Sequence, residues 1–92
     1  MDDDVVRAHV FVEGRVQGVF FRWETRTMAQ SSSLAGWIRN LPDGRVEAVI
    51  EGSRSSVQRL ISWMRKGPPA AEVSRVEVDW QEPSGLQGFE VQ

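Results

Sequence analysis

The sequence predicts an α+β domain of the ferredoxin-like class, in which two helices cover one face of an antiparallel sheet. Three observations lead to this fold. The segments follow one another as β-α-β-β-α-β, which is the split βαβ pattern. Two of them carry apolar residues at helical spacing and so have a face to bury against the sheet. A Pro42-Asp43-Gly44 turn joins the two middle strands, as expected for a hairpin.

The first strand is predicted at residues 5–13 by strict alternation of apolar and polar residues. One face carries four small apolar side chains: Val6, Ala8, Val10 and Val12. The other carries Arg7, His9, Phe11 and Glu13. His9 is the only histidine, and it has no Asp, Ser or Cys in its company. We therefore interpret it as a solvated strand residue, not as a catalytic base.

The first helix is predicted at residues 21–32, where one face carries Phe21, Thr25, Met28, Ala29 and Ser32. Three serines at 31–33 then end the helix. Two strands follow at residues 34–40 and 45–51, on either side of the Pro-Asp-Gly turn.

The second helix gives the clearest periodic signal of the chain, with apolar side chains at Val57, Leu60, Ile61 and Met64. Ser53 or Ser55 is positioned to cap it, and the run Gly67-Pro68-Pro69 ends it. Residues 72–80 alternate again as a strand, and residues 88–91 predict a short additional strand. No segment is long enough to be a linker, so residues 1–92 are expected to form one domain.

Composition excludes several kinds of site. The 92 residues include no cysteine and one histidine, which rules out disulfides, cysteine nucleophiles and multi-histidine metal sites. A formal net charge of −2 argues against a general nucleic-acid binder. The N-terminal Met-Asp-Asp-Asp is unlike a secretory signal, and no apolar run could span a membrane. We expect a cytoplasmic monomer that needs no metal or other cofactor.

Residues 14–22 are the first candidate site. Two glycines, Gly14 and Gly18, lie between the first strand and the first helix, and Arg22 falls in the first turn of that helix. Unpaired N–H groups at a helix N-terminus attract anions, and an arginine adds a fork suited to phosphate. The pattern indicates an oxyanion site, most simply a phosphate site. The alternative is an ordinary strand-to-helix connection with glycines for tight turning.

Asn40 is the second candidate, because it ends an otherwise apolar strand. It either belongs to the turn, where asparagine is frequent, or holds a water or substrate oxygen. In the predicted fold, the loop and Asn40 lie at the same edge of the sheet, one strand apart. A water held by Asn40 could then approach an anion held by the loop. Without a metal or a paired general acid, such a site needs a leaving group like a carboxylate, which departs without protonation.

These residues resemble the signatures of the acylphosphatase family. The run 14–22 resembles the first signature at full length, and Gly36 to Asn40, followed by Gly44, Val46 and Gly52, resembles the second. The resemblance covers nearly the whole chain. It implies metal-free hydrolysis of carboxyl–phosphate anhydrides, with Arg22 binding phosphate and stabilising charge and Asn40 orienting the water. It also implies that the loop binds the phosphoryl group through the backbone amides of Gly14, Arg15, Val16, Gln17, Gly18, Val19 and Phe20.

The resemblance further implies a small-molecule acyl phosphate as substrate and inorganic phosphate as product and competitive inhibitor. One departure concerns Ser32 and Ser33, where family members often carry leucine and glycine, which should weaken the end of the first helix by about 1–2 kcal/mol. Two other functions use this fold: RNA-recognition modules and non-catalytic anion-binding domains. Few outward aromatic residues and the negative charge argue against the first. The presence of both Arg22 and Asn40 argues against the second.

Overall fold

Seven elements follow one another along residues 3–92, which are the residues that the computed structural model describes. They are β1 (Val5–Arg15), α1 (Phe21–Ser31), β2 (Ala35–Asn40), β3 (Val46–Ser53), α2 (Arg54–Met64), β4 (Glu72–Gln81) and β5 (Phe89–Val91). Their order is the predicted β-α-β-β-α-β with a short extra strand. In this part of the chain neither helix is long and apolar enough to cross a membrane.

The five strands form one sheet in the order β4-β1-β3-β2-β5. β3 lies between β1 and β2 and is antiparallel to both, so β1 and β2 run in the same direction. Their C-terminal ends therefore meet at one edge, as the split βαβ pattern predicted. β1 to β4 form the predicted antiparallel sheet. The additional short strand β5, whose direction was not predicted, pairs parallel to β2. The sheet is mixed.

The core lies between the sheet and the two helices. The inward face of β1 is buried as predicted, and Ala8, Val10 and Val12 have no exposed surface. From α2, the four periodic residues Val57, Leu60, Ile61 and Met64 are all buried against it. α1 contributes Phe21, whose ring centroid lies 5.6 Å from that of Trp63. Because Phe21 is the first residue of α1, this contact fixes where the helix starts over the sheet.

The ends of the two helices depart from the simplest expectation. Neither Ser53 nor Ser55 caps α2 with its own hydroxyl. Instead the Asp3 carboxylate accepts hydrogen bonds from the backbone N–H and the hydroxyl of Ser55. At the end of α1, Ser33 takes a left-handed conformation with φ of 56°. Glycine adopts this conformation without strain, whereas serine does not. The expected weakening of the end of α1 therefore comes from the backbone conformation of Ser33.

Charged side chains on the outer face of the sheet form ion pairs with one another. The Glu47 carboxylate accepts a hydrogen bond from Arg39 at 2.7 Å and lies 2.7 Å from His9 Nε2. Burial opposes ionisation of Glu47, but these two partners outweigh it, and the pKa of Glu47 is lowered. The interpretation of His9 as a merely solvated residue was therefore wrong in detail. His9 is half-buried, and its ring lies within hydrogen-bonding distance of the buried Glu47 carboxylate.

Residues 82–88 cross from β4 at one edge of the sheet to β5 at the other, and Glu51 of β3 anchors them. Its carboxylate accepts hydrogen bonds from the backbone N–H groups of Ser84, Gly85 and Leu86 at 2.9–3.1 Å. Arg7 adds a contact at 2.8 Å. Burial acts to raise the pKa of Glu51, but hydrogen bonds from Ser84, Arg7 and Leu86 outweigh it and lower the pKa from 4.5 to about 2.

Replacing Glu51 by glutamine is expected to lower the free energy of unfolding at pH 7 by about 2 kcal/mol, because backbone donors lose their charged acceptor. The folded-state pKa is depressed, so the stabilisation is present above the unfolded value of 4.5 and is lost as the pH falls toward about 2. The free energies of unfolding of wild type and Glu51→Gln, measured with denaturant, should therefore differ less at pH 3 than at pH 7.

Glu72→Gln is the matched control for this measurement. Glu72 is an exposed strand carboxylate whose nearest cation, Arg15, is 3.6 Å away. It should change stability by less than about 0.5 kcal/mol at either pH. An equal difference between wild type and Glu51→Gln at both pH values would contradict the role given to the ionised carboxylate.

Candidate functional site

A pocket of about 220 Å³ lies at the edge of the sheet where β1 and β2 end. Its lining comes from the loop after β1, the first turn of α1 and the last residue of β2. These residues are Val16, Gly18, Phe20, Phe21, Arg22, Trp23 and Asn40. Residues separated by 18 positions, Arg22 and Asn40, thus line one cavity, which is the juxtaposition that the strand order predicted. Arg22 is the one charged residue among these lining residues.

The backbone between the strand and the helix leaves several donors unpaired. Within residues 3–92, no N–H from Gln17 to Trp23 donates to a protein acceptor, and the first such bond is that of Glu24 to the Phe20 carbonyl. No side chain caps α1 either. The positive end of the helix dipole lies at the same place. Unpaired amides, helix dipole and guanidinium together make this edge suited to an oxyanion.

The two glycines of the motif have different roles. Gly14 belongs to β1, next to a β-bulge in its pairing with β4, and does not line the pocket. A Cβ on Gly14 would lie 2.1 Å from the Glu72 carbonyl oxygen, so only glycine allows this close approach of the strands. Gly18 lines the pocket and has a φ of 75° with open space around it, so its requirement is conformational. Arg15 also belongs to β1 and lies outside the pocket lining.

Gln17 and Val19 do not line the cavity but connect the loop to the rest of the domain. The Gln17 side-chain amide donates to the backbone carbonyls of Leu41 and Arg45, at 2.8 and 3.0 Å. This bridge joins the loop to the turn that follows Asn40. Val19 packs against the hydrophobic core. The two residues thus hold the loop beside the end of β2.

Arg22 is held by the C-terminal segment. Its Nη1 donates to the backbone oxygen of Gln92 at 2.6 Å. Gln92 is itself fixed, because its N–H donates to the Ile38 carbonyl of β2 at 2.8 Å. No sequence pattern predicts the role of Gln92, because the contact joins residues 70 positions apart through a backbone atom. The guanidinium retains further donors for a ligand.

Asn40 has a buried side-chain oxygen without a protein partner. Its Oδ1 is the buried side-chain polar atom that finds no hydrogen bond among residues 3–92. The turn does not use it, because Asp43 accepts the bonds there, from the Arg45 N–H at 3.1 Å and from its Nε at 2.9 Å. Asn40 is thus the last residue of β2, and its side-chain oxygen makes no hydrogen bond within the turn. An unpaired amide oxygen at a pocket wall is costly unless a ligand or water donates to it.

No metal-binding cluster occurs in the described part of the chain, in the sense that no three His, Asp or Glu side chains of residues 3–92 come together to hold an ion. His9 and its partner Glu47 lie on the open face of the sheet and do not line the pocket. On that face, the Arg39 and Arg45 guanidinium groups lie 5.2 and 4.8 Å from the ring centroids of Trp37 and Phe11. The aromatic rings of this face are thus covered by arginines of the same chain.

Comparison with known proteins gives one consistent result. A model of the Acylphosphatase family matches residues 8–91. An acylphosphatase of Gloeobacter violaceus is 62% identical over 86 residues, which cover 94% of this chain and 92% of the relative. One from Chloroflexus aurantiacus is 61% identical over 86 residues, with 94% of each chain covered. The solved structure of an acylphosphatase from Coxiella burnetii superposes with a TM-score of 0.92 at 40% identity, covering 97% of this chain and 94% of that chain.

Proposed function

Because this chain belongs to the acylphosphatase family and is therefore an acyl phosphate hydrolase, we propose a mechanism in which water attacks the phosphorus directly. The phosphoryl group is held by loop amides and Arg22, and Asn40 orients the water. The P–O bond to the acyl carboxylate breaks as the bond from the water oxygen to phosphorus forms. The carboxylate leaves with the bonding electrons, and the water protons pass to phosphate and solvent. The products are a carboxylate and inorganic phosphate.

The observation that carries this proposal is the shared pocket. One cavity brings together unpaired amides, a guanidinium and a buried amide oxygen without a partner. A phosphoryl group in transfer carries charge on its three non-bridging oxygens, and donors arranged around them stabilise that charge. The N–H groups from Gln17 to Trp23 are such donors. Arg22, oriented by its hydrogen bond to Gln92, adds a positive charge to these donors.

Asn40 supplies the complementary function. An amide oxygen accepts a hydrogen bond and cannot take a proton at neutral pH. A water that donates to Oδ1 would have its lone pair free to face the phosphorus. In a loose transition state the nucleophile needs positioning more than deprotonation. We therefore assign Asn40 to orientation of the water, and no general base is required.

The leaving group explains why a single arginine and backbone donors suffice. A carboxylate departs without a proton, so no general acid has to protonate it. Charge on the phosphoryl oxygens is met by Arg22 and the amides, so the proposed mechanism uses no divalent metal. Inorganic phosphate has the same oxygens as the transferred group and should bind the same donors as a competitive inhibitor. We propose that the enzyme acts as a monomer.

The purified protein is expected to hydrolyse benzoyl phosphate to benzoate and phosphate in buffer containing EDTA. The absorbance loss on hydrolysis gives the rate, and a phosphate assay gives the stoichiometry. Phosphate should inhibit competitively. Activity that appeared only after addition of Mg²⁺ or Zn²⁺ would overturn the metal-free mechanism.

Arg22→Ala is expected to lower kcat/KM by about 10³-fold and to raise the inhibition constant of phosphate, because one group serves both binding and charge stabilisation. Arg59→Ala is the control, since Arg59 is an exposed arginine on α2. Its side chain donates one hydrogen bond within residues 3–92, to Ser56 Oγ at 3.2 Å. This variant should stay within twofold of wild type in both measurements. Unchanged phosphate inhibition in Arg22→Ala would contradict the role in binding.

Asn40→Ala is expected to lower kcat by about 10²-fold or more with little change in KM, because the oriented water contributes mainly in the transition state. The phosphate inhibition constant should also stay close to that of wild type. Gln30→Ala removes an exposed amide from α1 and serves as the control. A rise in KM without a fall in kcat would show that Asn40 binds substrate instead.

A further inference from the structure

The pocket is bordered by two exposed aromatic side chains. Five large hydrophobic residues are exposed within residues 3–92: Val5, Phe20, Trp23, Trp80 and Leu86. Two of them, Phe20 and Trp23, line the pocket that holds Arg22 and Asn40. Phe20 is 73% exposed and Trp23 is 53% exposed, whereas the intervening Phe21 is 1% exposed. The apolar surface that this pocket offers to a ligand is therefore aromatic.

Phe20 is held in an unusual backbone conformation. It occupies the N-cap position of α1 with φ of 65° and ψ of 17°, in the left-handed region. Bulky residues avoid this region, and the helix N-cap position favours Ser, Thr, Asp or Asn. The chain thus places a large aromatic ring in solvent at a position where a small polar residue would be more stable. Such strain concentrates at functional sites.

Trp23 is placed by the helix. It follows Phe20 by three residues, so the two side chains lie on the same side of the first turn. The Arg26 guanidinium carbon lies 5.6 Å from the Trp23 ring centroid, which restrains the indole from the next turn. The other apolar lining residues, Val16 and Phe21, are buried in the core and have almost no surface left for a ligand. Contact with an apolar substrate group therefore falls to Phe20 and Trp23.

We propose that Phe20 and Trp23 form a subsite for the acyl group and make the enzyme prefer acyl phosphates with flat, aromatic acyl groups over small ones. This inference rests on the proposed function. An acyl phosphate has a charged end and an apolar end. The charged end is drawn to the amides and Arg22, and a flat acyl group then gains area by packing against the two exposed rings. A methyl group in the same place covers little of either ring.

The test compares benzoyl phosphate with acetyl phosphate by the ratio of their kcat/KM values. The variants are Trp23→Gln and Phe20→Asn. Glutamine retains helix propensity, and asparagine tolerates the left-handed conformation at the N-cap. Trp80→Gln is the matched control, because Trp80 is 46% exposed on β4 and pairs with Ala8 away from the pocket. Each pocket variant should lower the benzoyl-to-acetyl ratio by about 3- to 10-fold, the equivalent of one aromatic contact. Trp80→Gln should leave it unchanged.

The outcomes separate this inference from the mechanism on which it rests. An active enzyme whose ratio is unchanged in both pocket variants would overturn the subsite and leave the hydrolase function intact. Equal losses for both substrates would likewise overturn it, because they would show that the rings only maintain the loop. A wild-type protein that hydrolyses neither substrate would overturn the proposed function and the subsite together. Benzoate inhibition that weakens in Trp23→Gln, while phosphate inhibition does not, would support the subsite independently of turnover.

Discussion

The unpaired backbone amides at the start of α1 are the feature on which the arrangement of this edge depends. Backbone N–H groups that lack both a protein acceptor and water are unfavourable, so other contacts have to hold the loop in the conformation that leaves them unpaired. Three separate contacts do so. The close strand approach at Gly14 sets where β1 ends, the Gln17 bridge joins the loop to the turn after β2, and the buried Phe21 ring fixes the first residue of α1. None of the three uses the backbone N–H groups from Gln17 to Trp23, so these donors remain available to a ligand.

The orientation of the Arg22 guanidinium depends on the segment that follows β5. Arg22 is oriented by Gln92, which follows β5, and β5 reaches its place only after residues 82–88 have crossed the whole sheet. Glu51 anchors that crossing through backbone donors. A buried carboxylate on β3 is thereby connected, through one segment of chain, to the guanidinium of the pocket. This explains why the last strand, although only three residues long, matters to the geometry of a site formed by β1, α1 and β2.

Most of the fold was predictable, because burial of one face imposes a period on the sequence. β1 and α2 show that period most clearly. β1 was predicted at residues 5–13 and spans Val5–Arg15, and the four periodic residues of α2 are all buried. Asp3 at the start of α2 and the parallel direction of β5 were not predictable. Both depend on long-range contacts: Asp3 reaches Ser55 across 52 positions, and three residues are too few to show a strand's direction. The same holds for the site. Arg22 and Asn40 could be predicted because they belong to recognisable sequence motifs. Gln92 could not, because it acts through a backbone oxygen that any residue possesses.

The pocket has a polar part and an aromatic part, and this division suggests how a domain of this size can act as a catalyst. This pocket of about 220 Å³ is smaller than the roughly 300–1,000 Å³ that is usual for a small-molecule cleft, so it cannot surround a substrate with side chains on every side. Backbone donors need no such volume, since they are already part of the loop, and a fixed arginine needs only one anchoring oxygen. In the proposed mechanism the activated phosphate brings its own leaving group, which removes the need for an acid or a metal. What remains for side chains is to orient a water and to select the acyl group. In this proposal Asn40 serves the first purpose and the exposed rings of Phe20 and Trp23 serve the second.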